Sequence, residues 1–310
     1  MAISAKQIPL MKRIRRDKWQ LMMMIPSVVL LVLFSYMPIY GILIAFQDYQ
    51  IGNRILSFDG TIKWVGLLHF KNFIQSEFFS RVFFNTIRLS LKGLIFGFWV
   101  PIVFALTLNE IHHKFYKRLT QTLVYLPYFI SLVVVIAMLT TMVSSEGVIT
   151  RLIVFFGGRE INYMRDSASF DTLYIASGVW QSFGYSSIIY LAGIAGIDPT
   201  LYEAAVVDGA NRFHRMWHIT LPGLKPTIAI LLILSVGGVL HSNTEKVLLM
   251  ISPSIVDRAQ VIGTYVYELG LRNARYSYTS AIGLFTNIIN FFLVFGANMI
   301  SRRVADYSLW

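Results

Sequence analysis

The chain has 310 residues, of which 55% are hydrophobic and only 14% are charged, and its mean hydropathy is +0.60. This composition excludes an ordinary soluble domain and indicates a membrane protein. The formal net charge of +11 does not predict nucleic-acid binding, because the basic residues flank apolar segments and form no single stripe. The absence of cysteine excludes disulfides, thiolate catalysis and cysteine-ligated metal sites.

Six apolar segments have the length of about 20 residues that an α-helix needs to cross a hydrocarbon core of roughly 30 Å. They cover residues 21–46, 86–108, 123–143, 173–196, 227–249 and 281–300. The first segment follows a basic stretch, as the apolar core of a signal peptide does. It is longer than the roughly 7–15 residues of such a core, however, and no small-residue cleavage pattern follows it. We therefore interpret it as a retained helix. The sequence predicts an all-α membrane protein with six transmembrane helices in a lipid bilayer.

The positions of lysine and arginine predict the orientation, because short cytoplasmic loops carry the excess of these residues. We place four basic segments in the cytoplasm, namely the N-terminal arm 1–20, the loops 111–121 and 197–225, and the tail 302–310. Both termini are then cytoplasmic, and the six-helix domain covers 21–301. The outer segment 47–85 also carries basic residues. This reduces the difference in lysine and arginine content between the cytoplasmic and outer segments but does not reverse the predicted orientation. Its alternating aromatic and polar residues indicate either short interfacial helices or an ordered loop.

Local signals in the loop 197–225 predict a helix–turn–helix outside the bilayer. Asp198 is a suitable N-cap, and Pro199 follows at the first helical position, where its missing N–H costs nothing. Gly209 can adopt the left-handed conformation that ends a helix. A second short helix is expected from about residue 211 to 220, with Pro222 limiting its continuation.

Within this loop the residue spacing resembles the EAA loop of ATP-binding-cassette (ABC) importer permeases. The matching residues are Glu203, Ala204, Ala205, Gly209, Ile219, Leu221 and Pro222. The fuller pattern EAAVVDGA with ITLP is similar to the carbohydrate, or maltose-permease-like, branch. The segments YMPIYGILIAFQDY, LVYLPYFIS and VIGTYVYELGL resemble sugar permeases of the polysaccharide or lipoprotein-associated subgroup, so the likeness extends over nearly the whole chain. The sequence departs from the pattern of that subgroup at HSNTEKVLL and at Gly263.

The resemblance implies a type I ABC importer permease fold in a bacterial cytoplasmic membrane. It also implies that the loop docks on a cytoplasmic ATPase through Glu203, Ala204, Ala205, Asp208, Gly209, Arg212, Leu221 and Pro222. The implied partners are a second homologous permease, two ATPase subunits that carry ATP and Mg, an extracellular solute-binding protein and a sugar or oligosaccharide. This chain contains no GxxxxGK[ST] phosphate loop, so we expect it to bind no nucleotide. No other cofactor is predicted for this chain.

Polar residues inside the predicted helices are candidates for the substrate pathway, because such residues usually face a bundle interior or a cavity. The candidates are Trp180, Gln181, Tyr185, His241, Asn243, Glu245, Asn287 and Asn290. Amide and hydroxyl groups suit sugar hydroxyls, and an aromatic plane suits the apolar face of a sugar ring. The alternative is helix packing, with the asparagines in interhelical hydrogen bonds and Glu245 paired with Lys246.

Neither a catalytic group nor a metal site is predicted. His214 and His218 are four residues apart, as in a zinc-binding helix, but the glutamate of HExxH is absent and two arginines lie beside them. Two other functions stay open, the import of a solute other than a sugar by the same fold and an integral-membrane enzyme that acts on lipid-linked sugars.

Overall fold

The computed structural model describes residues 16–52, 54–56, 62–241 and 243–304. Most of the N-terminal arm 1–20 and most of the tail 302–310 therefore lie outside the described residues. Within the described ranges the regular structure is helical, apart from one antiparallel bridge between Gln47 and Trp64. The helices are α1 Lys18–Phe46, α2 Leu68–Ile74, α3 Glu77–Asn109, α4 Lys114–Phe129, α5 Leu132–Met142, α6 Val148–Phe155, α7 Phe170–Ala195, α8 Pro199–Val207, α9 Arg212–Gly223, α10 Lys225–Val236, α11 Thr244–Met250, α12 Val256–Ala259, α13 Ile262–Tyr267 and α14 Tyr276–Val304.

Among the described residues, three helices are long and apolar enough to cross a membrane, namely α1, α3 and Tyr276–Arg303 of α14. Two bent helix pairs qualify when each is taken as one span, which raises the number to five. These pairs are α4 with α5, bent by 99°, and α9 with α10, bent by 56°. The helix α7 coincides with the fourth predicted segment, but it is not among the helices that qualify. The all-helical prediction is confirmed, whereas the number six stays a prediction.

The third predicted segment, 123–143, is sharply bent. Helix α4 ends at Phe129, Ile130 is extended, and the Ser131 hydroxyl accepts a hydrogen bond of 3.4 Å from the Val134 N–H at the start of α5. The break frees the Ile130 carbonyl from helical bonding. Its oxygen instead accepts a bond of 2.9 Å from Nε2 of Gln181 in α7, so a neighbouring helix stabilises the bend.

The prediction of one continuous fifth helix over 227–249 is wrong. Helix α10 ends at Val236, next to Gly237 and Gly238, and glycines weaken a helix interior. The helix resumes as α11, where the Asn243 side chain caps it by accepting a 3.0 Å hydrogen bond from the Lys246 N–H. Between the two helices, the Leu240 N–H donates to Oδ1 of Asn290 in α14 at 3.2 Å. A side chain from a distant helix thus satisfies the backbone at the break.

Helices α3 and α7 pack against each other and form the centre of the molecule. A Cβ added at Gly184 of α7 would lie 2.3 Å from the Val124 carbonyl oxygen in α4, so glycine permits this close approach. Two apolar clusters lie along this pair. One contains Leu89, Ile136, Phe170, Tyr174 and Val247, and the other contains Phe98, Ile102, Tyr190, Ile194 and Leu224.

Candidate functional site

The loop 197–225 forms the helix–turn–helix that its sequence predicts. An oxygen of Asp198 accepts a 2.9 Å hydrogen bond from the Thr200 N–H at the start of α8, and this bond lowers the pKa of the Asp198 carboxyl. Helix α8 ends at Val207, and Gly209 follows with φ of +75°. The Asn211 side chain then caps α9 by accepting a 2.9 Å bond from the His214 N–H. Each boundary therefore has a local cause in the sequence.

The two loop helices are joined to each other and to the membrane helices. The hydroxyls of Tyr202 in α8 and Thr220 in α9 are 3.0 Å apart. Helix α9 extends to Gly223, three residues beyond the predicted end, and it widens to a π-helix just before Pro222, which has no N–H to donate. Leu221 packs against the apolar cluster that contains Leu224. The loop is thus packed directly against the core of the membrane helices.

Large apolar side chains are exposed on the loop helices. The exposed fractions are 88% for Val207, 76% for Phe213 and 64% for Trp217. Of the eight residues that sequence analysis assigned to ATPase coupling, the exposed ones are Glu203, Ala204, Asp208, Gly209 and Arg212, and the half-buried ones are Ala205, Leu221 and Pro222. An exposed apolar face of this kind is typical of a protein-docking surface.

A cavity of about 560 Å³, which we call the central cavity, lies between α3, α4, α7, α10 and the segment that precedes α11. Its polar lining comprises Ser90, Tyr128, Tyr174, Tyr185, Ser186, Tyr190, Ser235, His241 and Asn243. The rings of Tyr128 and Tyr185 are stacked, with centroids 3.9 Å apart and planes within 5° of parallel. Phenol rings and hydroxyl groups together suit a ligand that has both apolar faces and hydroxyls.

The structure brings three of the eight predicted pathway residues, Tyr185, His241 and Asn243, to the central cavity. Gln181 bonds the Ile130 carbonyl and lines a smaller adjoining cavity. The other four lie elsewhere. Trp180 lines a groove between α3 and α7, Asn290 bonds the Leu240 N–H, and Glu245 and Asn287 are exposed.

The pair of Glu245 with Lys246, which was the alternative to a pathway role for Glu245, does not form. Lys246 is only 4% exposed, and its Nζ donates a 2.6 Å hydrogen bond to the carbonyl of Tyr174 in α7. The ammonium also lies 4.8 Å from the centroid of the Tyr174 ring. Neighbours on a helix surface point in different directions, so adjacency in sequence does not imply a pair.

Sequence reasoning missed an ion cluster around Asp171, whose side chain is 5% exposed. Its Oδ2 lies 2.7 Å from Nζ of Lys92, 3.1 Å from Nε of Arg88 and 3.2 Å from a terminal nitrogen of Arg258. The available signal was the pair Arg88 and Lys92, which are four residues apart within the second apolar segment, because charge in such a segment is rarely without function.

Comparison with known proteins identifies the family. The model of the family described as "Binding-protein-dependent transport system inner membrane component" matches residues 93–306. Protein LplB of Bacillus subtilis (strain 168) is 38% identical over 99% of this chain and 96% of its own length. The polygalacturonan/rhamnogalacturonan transport system permease protein YteP of the same organism is 39% identical over 98% of this chain and 94% of its own length.

Solved structures are similar over nearly the whole chain. A bacterial ABC transporter involved in the import of the acidic polysaccharide alginate contains a chain that is 38% identical, with a TM-score of 0.86 and coverage of 96% of this chain and 99% of that one. The alginate transporter in complex with an alginate pentasaccharide-bound periplasmic protein gives a TM-score of 0.87 at 38% identity, covering 97% of this chain and 100% of that one. This protein is therefore a member of the family of inner membrane components of binding-protein-dependent transport systems, a membrane permease and not an enzyme.

Proposed function

We propose that this chain is one permease subunit of an ATP-driven importer that moves a sugar or oligosaccharide into the cell. The observation that carries the proposal is the central cavity, where four tyrosines, three serine hydroxyls and the amide of Asn243 meet between the helices. A sugar ring presents apolar C–H faces and a rim of hydroxyls, and this lining complements both. The names of YteP and of the alginate transporter describe carbohydrate cargo, which supports the same substrate class.

The proposed mechanism is alternating access. ATP binding closes two partner ATPases, whose motion is passed to the loop 197–225 through Glu203, Ala204, Ala205, Asp208, Gly209 and Arg212. Leu221 and Pro222 then transmit it inward, because Leu221 packs on the core cluster and the 56° bend between α9 and α10 follows directly. The chain itself performs no covalent chemistry, and ATP and Mg belong to the partner subunits.

The proposed assembly contains a second, homologous permease, two ATPases and an extracellular solute-binding protein. The exposed apolar face of Val207, Phe213 and Trp217 supports the ATPase contact. The complex of the alginate transporter with its oligosaccharide-bound periplasmic protein supports the contact with a solute-binding protein. We further propose six membrane crossings with both termini in the cytoplasm, α7 being one crossing and α10 with α11 another, which is broken between Val236 and Thr244.

Reconstitution of the chain with its co-purified partners in proteoliposomes tests this function. We expect ATP-dependent accumulation of labelled oligosaccharides when the solute-binding protein is present, and no accumulation with a non-hydrolysable ATP analogue. Uptake of an amino acid or inorganic anion, but of no sugar, contradicts the carbohydrate assignment. Turnover of a lipid-linked sugar by this chain without its ATPases favours the membrane-enzyme alternative and overturns the proposal.

A further inference from the structure

Lys246 is a buried cation beside the proposed pathway. Only one of the three N–H groups of its ammonium has an acceptor among the described residues, the Tyr174 carbonyl at 2.6 Å. The ammonium also lies over the face of the Tyr174 ring, 4.8 Å from its centroid, and this cation–π contact compensates the charge only in part. Within the described part of the chain, two ammonium donors are thus without an N or O acceptor and can donate to a ligand.

No carboxylate neutralises this ammonium within the described part of the chain. Glu245 is exposed and forms no ion pair with Lys246, and every ion pair of Asp171 is with Arg88, Lys92 or Arg258. An unpaired charge in a low-dielectric interior is strongly unfavourable unless another group compensates it. An anionic group bound in the site would supply that compensation.

The ammonium lines a side cavity of about 280 Å³ that adjoins the central cavity. The two cavities share Gly93, Gly97, Tyr174 and Asn243. A Cβ at Gly178 would lie 2.8 Å from the Lys246 Nζ, so glycine at this position leaves room for the ammonium. A group bound in the central cavity is thus close to this charge.

The lining of both cavities contains no aspartate or glutamate among the described residues. The Asp171 cluster combines one carboxylate from α7 with three cations, two from α3 and one from α12. Its net charge is therefore +2. Like charges would repel a cationic cargo here, and a neutral cargo would gain only a hydrogen bond from the ammonium, which is weaker than the charge-assisted bond of a carboxylate. The electrostatics favour an anion.

We propose that Lys246 is a specificity-determining residue that binds a carboxylate of the cargo, so that the importer selects acidic, uronate-bearing oligosaccharides. This inference rests on the proposed function, because it assumes that a sugar passes through the central cavity. A carboxylate that accepts from the free ammonium donors forms a charge-assisted hydrogen bond, which a neutral hydroxymethyl group cannot match.

The test compares a uronate trisaccharide with its carboxyl-reduced counterpart of the same length and linkage. ATP-driven uptake of both probes is measured with the complete importer in proteoliposomes, and their binding to the purified complex is measured without the solute-binding protein. The variants are Lys246→Gln, which keeps a donor for the Tyr174 carbonyl, and Lys246→Arg, which keeps the charge. Lys71→Gln is the matched control, because Lys71 is an exposed cation on α2 that lines neither cavity.

The preference is the ratio of uptake of the uronate probe to uptake of the carboxyl-reduced probe. We expect this ratio to be lower by about tenfold or more in Lys246→Gln than in the wild type, with uptake of the reduced probe changed by less than about twofold. Lys246→Arg and Lys71→Gln should keep the preference. If Lys246→Gln does not assemble, Gly178→Ala gives a second test, because its methyl group displaces the ammonium and should lower the same ratio.

An unchanged ratio of the two probes in Lys246→Gln, or a wild type that binds both probes equally, overturns this inference. In either case uptake of sugar by the wild type leaves the proposed function intact. A complete, ATP-hydrolysing complex that moves neither probe nor any other sugar overturns both.

Discussion

At the scale of single residues, Gly209 sets the angle between the two loop helices. Its φ of +75° lies in the left-handed region, where a residue with a Cβ is less stable by roughly 1–2 kcal/mol. A Cβ at this position would meet no atom within 4 Å, so backbone conformation and not space requires glycine. Asparagine tolerates this conformation better than other residues do.

We predict that Gly209→Pro reduces ATP-driven uptake by about tenfold or more, because proline requires φ near −65° and forces the turn to change. Gly209→Asn, the matched control, should retain most of the uptake. Uptake and ATP hydrolysis are measured together in proteoliposomes, after confirming that each complex contains its ATPases. Uptake by a correctly assembled Gly209→Pro complex at the wild-type rate refutes the coupling role.

The stacked pair of Tyr128 and Tyr185 is the second feature at this scale. Removing one ring by Tyr185→Ala should weaken oligosaccharide binding by roughly threefold to tenfold, the effect expected for an aromatic contact. Tyr185→Phe keeps the ring and should lose less. Titration of the purified complex with a labelled oligosaccharide measures both variants, and equal affinities for all three proteins argue against a sugar contact.

At the scale of elements, α8 and α9 present exposed apolar side chains, although α9 is also anchored to the core through Leu221. We predict that Val207→Asp lowers co-purification of the ATPase subunits at least several-fold, because a charge would be buried at the contact. In Val207→Thr the new side chain has nearly the shape of valine and no charge. This variant should therefore co-purify with more of the ATPase subunits than Val207→Asp does. The measurement is the ratio of ATPase to permease after affinity purification. Equal ratios for both variants would place the ATPase contact elsewhere.

For the whole molecule, the cluster around Asp171 ties together α3, α7 and α12. Asp171→Asn leaves three cations facing one another. We expect a loss of stability of about 2 kcal/mol, below the roughly 3–5 kcal/mol of a fully buried pair because the cations are partly exposed. Thermal unfolding in detergent measures the change.

Asp48→Asn is the control for this cluster, because Asp48 forms an exposed pair with Lys63 at 3.0 Å. Pairs of that kind contribute about 0–1 kcal/mol, so this variant should unfold near the wild-type temperature. If Asp171→Asn is as stable as Asp48→Asn, the cluster does not hold the helices together.

The sequence by itself determined the all-helical membrane class, the start and end of α8 and the start of α9. Asp198, Pro199, Gly209 and Asn211 act on backbone groups within a few residues, so their effects do not depend on the rest of the fold. The spacing from Glu203 to Pro222 is also local, which is why the family resemblance could be recognised before the fold was known.

Only the tertiary structure decided where the helices break and which polar residues meet. The break in 227–249 is stabilised by Asn290, which is 50 residues from Leu240, and the bend at Ile130 by Gln181, which is 51 residues away. Asp171 meets Lys92 and Arg258, which are 79 and 87 residues distant. Hydropathy reports the mean polarity of a segment, but a freed carbonyl or a buried charge is stable only when a partner from another helix reaches it.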